Sequence, residues 1–111
     1  MEQLFNKLVR DNIPDKIKSN GEEAVIRVLD LDEYKVELYK KLDEEKNEII
    51  NSKNKEELIE ELADLSEVLD AIMSVNDISS EQVNDVKKEK RLKRGGFDKR
   101  IYLEKTISNK N

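Results

Sequence analysis

Glu45, Glu48, Glu61 and Asp64 are the residues of this chain whose types and spacing could do chemistry. They form two i, i+3 pairs on what read as two consecutive helices, and that spacing sets both members of a pair on one helix face. Two such helices side by side gather four negative charges, which costs energy unless a cation sits among them. At about 100° per residue, Glu45 falls inside the arc of Leu31, Leu38, Leu42 and Ile49, where a core leucine is expected. Glu48 falls roughly 60° to one side. On the second helix Glu61 falls among Leu58, Leu65, Val68 and Ile72, with Asp64 roughly 60° aside. Each helix thus turns one carboxylate into its apolar face, and buried carboxylates without partners are costly and rare. A shared cation accounts for the coincidence. Solvated acids on Glu-rich helices, as Glu44, Glu56, Glu57, Glu60 and Glu67 are in part expected to be, account for the same spacing without an ion. Periodicity alone does not choose between the two.

Composition narrows the chemistry. The 111 residues include neither Cys nor His, which removes disulfides, thiolate catalysis, Ser-His and Cys-His nucleophile systems and the commonest zinc ligands. Any metal must be held by oxygen, which points to a hard cation, Mg²⁺ or alternatively Mn²⁺. No Asp-rich loop with a central Gly forms an EF-hand, and no Glu-x-x-His pairs form a ferritin-type centre. No apolar signal core or membrane-length run is present, so the expected location is the cytoplasm, with no membrane partner.

The elements that must position these residues are helices. Glu, Lys and Leu abound, while there are 3 Gly and 1 Pro, which favours an all-α fold with short connections. Asn12-Ile13-Pro14 begins a short helix that Asn20-Gly21 ends. Asp30, with Glu33 three residues on, resembles a capping box opening a long helix with the stripe Leu31, Tyr34, Leu38, Leu42 and Ile49, ending near Ser52. Asn54 caps a second long helix striped by Leu58, Leu62, Leu65, Leu69 and Ile72, and the short connection makes the two antiparallel neighbours. Ser79 with Gln82 opens a third, weakly apolar helix that Gly95-Gly96 stops near Arg94. Minor extended segments that could pair with each other are expected near residues 24–28 and 97–103, and a frayed end at residues 108–111.

With 36% hydrophobic and 42% charged residues, the single domain over residues 1–111 has a thin core. Such domains often complete their burial by self-association. Residues 87–100 hold eight Lys/Arg against two acids, a net of +6, which leaves −11 for the rest of the −5 chain. An acidic body with one basic segment suits a metal site beside an anion site, and it equally suits two solvated faces. Lys87, Lys90 and Arg94 share one helix face and are the candidate phosphate partners. Lys7 and Arg10 are candidates for phosphate contact or for a structural role. Nucleic acid is not an expected partner, because the body is acidic and no reading motif is present.

These motifs resemble the all-α nucleoside triphosphate pyrophosphohydrolases of the MazG type. Their Glu-Glu-x-x-Glu, spacer, Glu-x-x-Asp signature is matched here by Glu44-Glu45-Lys46-Asn47-Glu48, twelve intervening residues, and Glu61-Leu62-Ala63-Asp64. Lys7-Leu8-Val9-Arg10-Asp11 with Ile13-Pro14, and Lys93-Arg94-Gly95-Gly96-Phe97, resemble the two ends of a subgroup related to phosphoribosyl-ATP pyrophosphohydrolase. The resemblance spans roughly residues 6–103. It implies Mg²⁺-dependent cleavage between the α and β phosphates, giving a nucleoside monophosphate and pyrophosphate, in nucleotide-pool house-cleaning. It implies Glu45, Glu48, Glu61 and Asp64 as metal ligands and Glu44, with Glu45, as catalytic carboxylates. It implies a homodimer or dimer of dimers around a four-helix-bundle-like core. Phe97 is the candidate for stacking on the base. The alternative is a catalytically idle nucleotide-binding or helical assembly module.

Overall fold

The computed structural model describes residues 1–108. Among them every regular element is a helix: α1 (Ile13–Ser19), α2 (Leu31–Ile50), α3 (Lys55–Val75) and α4 (Ser80–Arg94). The helix starts are local chemistry. The Asp30 and Asn54 side chains accept from the backbone N–H of Glu33 and Glu57, each at 2.9 Å. Ser79 and Gln82 close a reciprocal capping box, Gln82 N–H to Ser79 Oγ at 3.1 Å and Ser79 N–H to Gln82 Oε1 at 2.8 Å. Each satisfies N–H groups that the first helical turn leaves without partners. At α2 only half of the expected box forms, because Glu33 pairs instead with the Arg27 guanidinium at 2.9 and 2.5 Å. α1 has Pro in its first turn, but Asn12 makes no side-chain cap bond. Gly95, at φ +80°, terminates α4 in a conformation that a Cβ would strain.

The chain divides into two compact units, Met1–Ile78 and Ser79–Asn111. In the first, α2 and α3 form an antiparallel hairpin through a four-residue connection, residues 51–54, and are its principal packed pair. Antiparallel helices pair positions equally distant from the turn. Leu38 and Val68 are equally distant from Lys53, and they are the two buried apolar residues, at 3% and 7% exposure. Tyr34, Leu42, Ile49, Leu58, Leu65 and Ile72 are half-buried around them. Leu62 and Leu69, expected on the same α3 stripe, are instead 47% and 42% exposed, and Leu31 is 69% exposed. One partner helix covers only a narrow arc, and these residues lie at or beyond its edge.

The segments at 24–28 and 97–103 form no strand among the described residues; the first is irregular and the second begins with a bend and a turn. The frayed end expected at residues 108–111 lies, from 109 on, outside the described residues. No helix among the described residues is long and apolar enough to cross a membrane.

Candidate metal centre

The positional equality that buries Leu38 and Val68 also sets Glu45 against α3, because Glu45 and Glu61 are equally distant from Lys53. The hairpin brings one carboxylate oxygen each from Glu45, Glu61 and Asp64 within 4.8 Å of one another. Glu45 is the buried member, 6% exposed, and its Oε2 has no hydrogen-bond partner. Glu61 and Asp64 are half-buried at the rim. An unpartnered buried carboxylate oxygen costs about 1–3 kcal/mol. Burial pushes the Glu45 carboxyl above the usual carboxylate range, the Asp64 charge adds to this, and Lys41 opposes both. Oxygen-only donors, close spacing and an orphaned buried oxygen are what a hard divalent cation requires, so these residues fit one.

Cations of the chain itself surround the acids. The Arg10 guanidinium donates to Asp64 Oδ1 at 2.6 Å. Lys7 Nζ lies 3.2 Å from Glu44 Oε1, while Lys41 Nζ lies 3.3 Å from Glu44 Oε2 and 3.8 Å from Glu45 Oε1. Burial pushes the Glu44 carboxyl up, but Lys7 and Lys41 together outweigh it and hold the group below the usual range. The two neighbouring carboxyls are thus shifted in opposite directions. A cavity of about 130 Å³ between the N-terminal segment and α2 is lined in part by Lys7, Lys40, Lys41, Glu37 and Glu44.

The structure thus brings together three of the four carboxylates singled out as ligands. Glu48, one turn beyond Glu45 on α2, is exposed and stands outside the cluster. Lys7 and Arg10 meet acids of this region. Lys41 was not singled out from the sequence, although its i+3 and i+4 spacing to Glu44 and Glu45 was a readable signal. Lys87, Lys90 and Arg94 are exposed on α4 in the second unit and make no hydrogen bond or ion pair among the described residues. Their neighbours are paired, Lys93 with Glu89 at 2.9 Å and Arg91 with Asp98 at 3.8 Å. Phe97, also in the second unit, is 97% exposed.

Fold and site together define an all-helical protein whose central hairpin carries an acidic triad able to hold a metal ion. No family model, curated protein or solved structure matches the chain.

Proposed function

We propose that this chain is a Mg²⁺-dependent nucleoside triphosphate pyrophosphohydrolase, cleaving between the α and β phosphates in cytoplasmic house-cleaning of the nucleotide pool. The observations that carry the metal part are the cluster of Glu45, Glu61 and Asp64 and, on the buried Glu45, a carboxylate oxygen without a partner. The reaction class rests on the resemblance of residues 44–48 and 61–64 to the pyrophosphohydrolase signature.

Glu45, Glu61 and Asp64 would hold the cation; Glu48, exposed one turn from Glu45, is the fourth ligand that the resemblance implies. Mn²⁺ can replace Mg²⁺ at such a site. When bound, such a cation neutralises phosphate charge and acidifies a water. Glu44 is the carboxylate beside the cluster that could accept a proton from the attacking water, although Lys7 and Lys41 hold its carboxyl below the usual range. Lys7 and Arg10 are the charge partners that the first unit offers to the triphosphate, and Lys87, Lys90 and Arg94 form, by themselves, a basic face of the second unit suited to phosphate. Phe97 is offered to the base. A second copy of the chain covers the apolar residues that one hairpin leaves open, Ile59, Leu62 and Leu69 among them, giving a homodimer or a dimer of dimers.

One observation favours the rival reading of a helical binding or assembly module without turnover. Lys7, Arg10 and Lys41 already supply cations to these acids. The test is incubation with a panel of canonical and modified nucleoside triphosphates and Mg²⁺, with monophosphate and pyrophosphate both measured. Their equimolar release supports the hydrolase. Release from no substrate, with Mg²⁺ or with Mn²⁺, overturns it. Sedimentation analysis tests the assembly, and a monomer at micromolar concentration contradicts the dimer.

A further inference from the structure

We infer that Arg10 is the resident counter-ion of the acidic centre, and that a divalent cation reaching Asp64 competes with this guanidinium. The inference rests on the metal-centre reading above and adds to it a residue that sets how tightly the cation is held.

Arg10 and Asp64 are separated by 54 positions, and the guanidinium reaches the carboxylate at 2.6 Å. This is the short contact of a charge-assisted hydrogen bond. Asp64 is also one of the three residues whose oxygens gather within 4.8 Å. A single guanidinium nitrogen on Asp64 leaves the buried Glu45 Oε2 without any partner. The pair therefore offsets part of the negative charge without satisfying the group that most needs a cation. A divalent ion serves all three oxygens, but it meets a positive charge already in place.

The segment that delivers Arg10 has little else to hold it. Residues 1–12 contain no helix or strand, and Asn6 sits in the left-handed region at φ 47°. Leu4 and Phe5 are 81% and 62% exposed, and Leu8 is the half-buried apolar anchor. Two ion pairs, Lys7 with Glu44 and Arg10 with Asp64, tie this segment to α2 and α3. Loss of the Arg10 contact to a competing cation loosens the segment, so cation occupancy and N-terminal order are linked in opposite senses. Side-chain exposures of 56% and 41% place the pair near solvent, where such a pair is weak and the competition amounts to about threefold in affinity.

The experiment uses the full chain with Mn²⁺ as probe, free Mn²⁺ being counted by electron paramagnetic resonance at fixed ionic strength. Arg10→Met is expected to bind Mn²⁺ about threefold tighter than wild type. Lys7→Met, which frees Glu44 outside the cluster, is expected to change affinity less. Hydrogen exchange of residues 4–12 in the wild-type protein supplies a readout that needs no variant, and it is expected to quicken on saturation with Mn²⁺. Equal or weaker Mn²⁺ binding by Arg10→Met, or exchange that Mn²⁺ leaves unchanged, overturns the counter-ion role and leaves the metal centre standing. Wild-type protein that binds no Mn²⁺ overturns the metal centre itself, and this role with it.

Discussion

Glu45 on α2 and Asp64 on α3 bring carboxylate oxygens within 4.8 Å of each other, and the nearest ammonium to Glu45, from Lys41, stays 3.8 Å away. Two acids are thus held close by helix packing while the more buried one keeps an unpartnered oxygen. Such an arrangement costs stability unless a proton or a cation offsets the charge.

Replacing Glu45 by a residue of similar volume without charge should separate this cost from cation binding. Glu45→Met is expected to stabilise the cation-free protein by about 1–3 kcal/mol. The same variant is expected to lose the stabilisation that Mn²⁺ gives wild type. Urea unfolding with and without Mn²⁺ measures both; a destabilised variant, or one that Mn²⁺ still protects, speaks against the role assigned to Glu45.

The pH dependence of stability follows from two adjacent carboxyls shifted in opposite directions. Glu45 has a raised value in the folded state, first from burial and then from Asp64, so the folded protein holds this proton more tightly than the unfolded chain. Its contribution favours folding below the ordinary carboxylate range and is lost as pH rises through the raised folded value. Glu44 has a lowered folded value, its burial outweighed by Lys7 and Lys41. Its contribution is present above the ordinary range and is lost as pH falls through the lowered value. As pH rises from the ordinary carboxylate range through the raised folded value of Glu45, wild type should therefore lose stability relative to Glu45→Gln. On acidification below the ordinary range it should lose stability relative to Glu44→Gln. Thermal melts across pH in cation-free buffer check both slopes, and the same slope for both variants contradicts the assignment.

Membership of the cluster predicts a ranking of ligand variants. Glu61 contributes an oxygen to the triad, whereas Glu48 is exposed and outside it. Glu61→Gln is expected to weaken Mn²⁺ binding by about tenfold or more, and Glu48→Gln to weaken it clearly less. Titration calorimetry of the two variants decides the order, and the reverse order would restore Glu48 to the centre at Glu61's expense.

The cations on α4 carry a kinetic expectation. Lys87, Lys90 and Arg94 are exposed and have no partner among the described residues, so their removal should cost little stability. If they meet the triphosphate, Arg94→Met is expected to raise KM by about tenfold and to flatten the dependence of KM on salt. Steady-state kinetics at two ionic strengths measures this. An unchanged KM returns these residues to the role of a solvated basic face.

Much of the fold was legible because it is set by interactions within a few residues of one another. The Asp30, Asn54 and Ser79 caps each bond three positions ahead, and a glycine with positive φ ends α4 as its type suggests. The position of Glu45 in the apolar arc of α2 was legible for the same reason, since a helix converts spacing into direction. What escaped was non-local. Leu62 and Leu69 fit the apolar period of α3, yet period says nothing about how wide an arc a partner covers. The chain at 24–28 has strand-like residues, but a strand exists only where a second one pairs with it.

By itself, then, the sequence determined four helices, their approximate boundaries and a carboxylate, Glu45, in the apolar arc of α2. Only the tertiary structure decided that Glu45, Glu61 and Asp64 form the cluster, that Glu48 stands outside it, and that Arg10 sits on Asp64 from 54 positions away. Helix geometry repeats every few residues and can be read from a string of letters. The packing of one helix on another, and the docking of an irregular segment on both, depends on shapes and charges that meet only after the chain has folded.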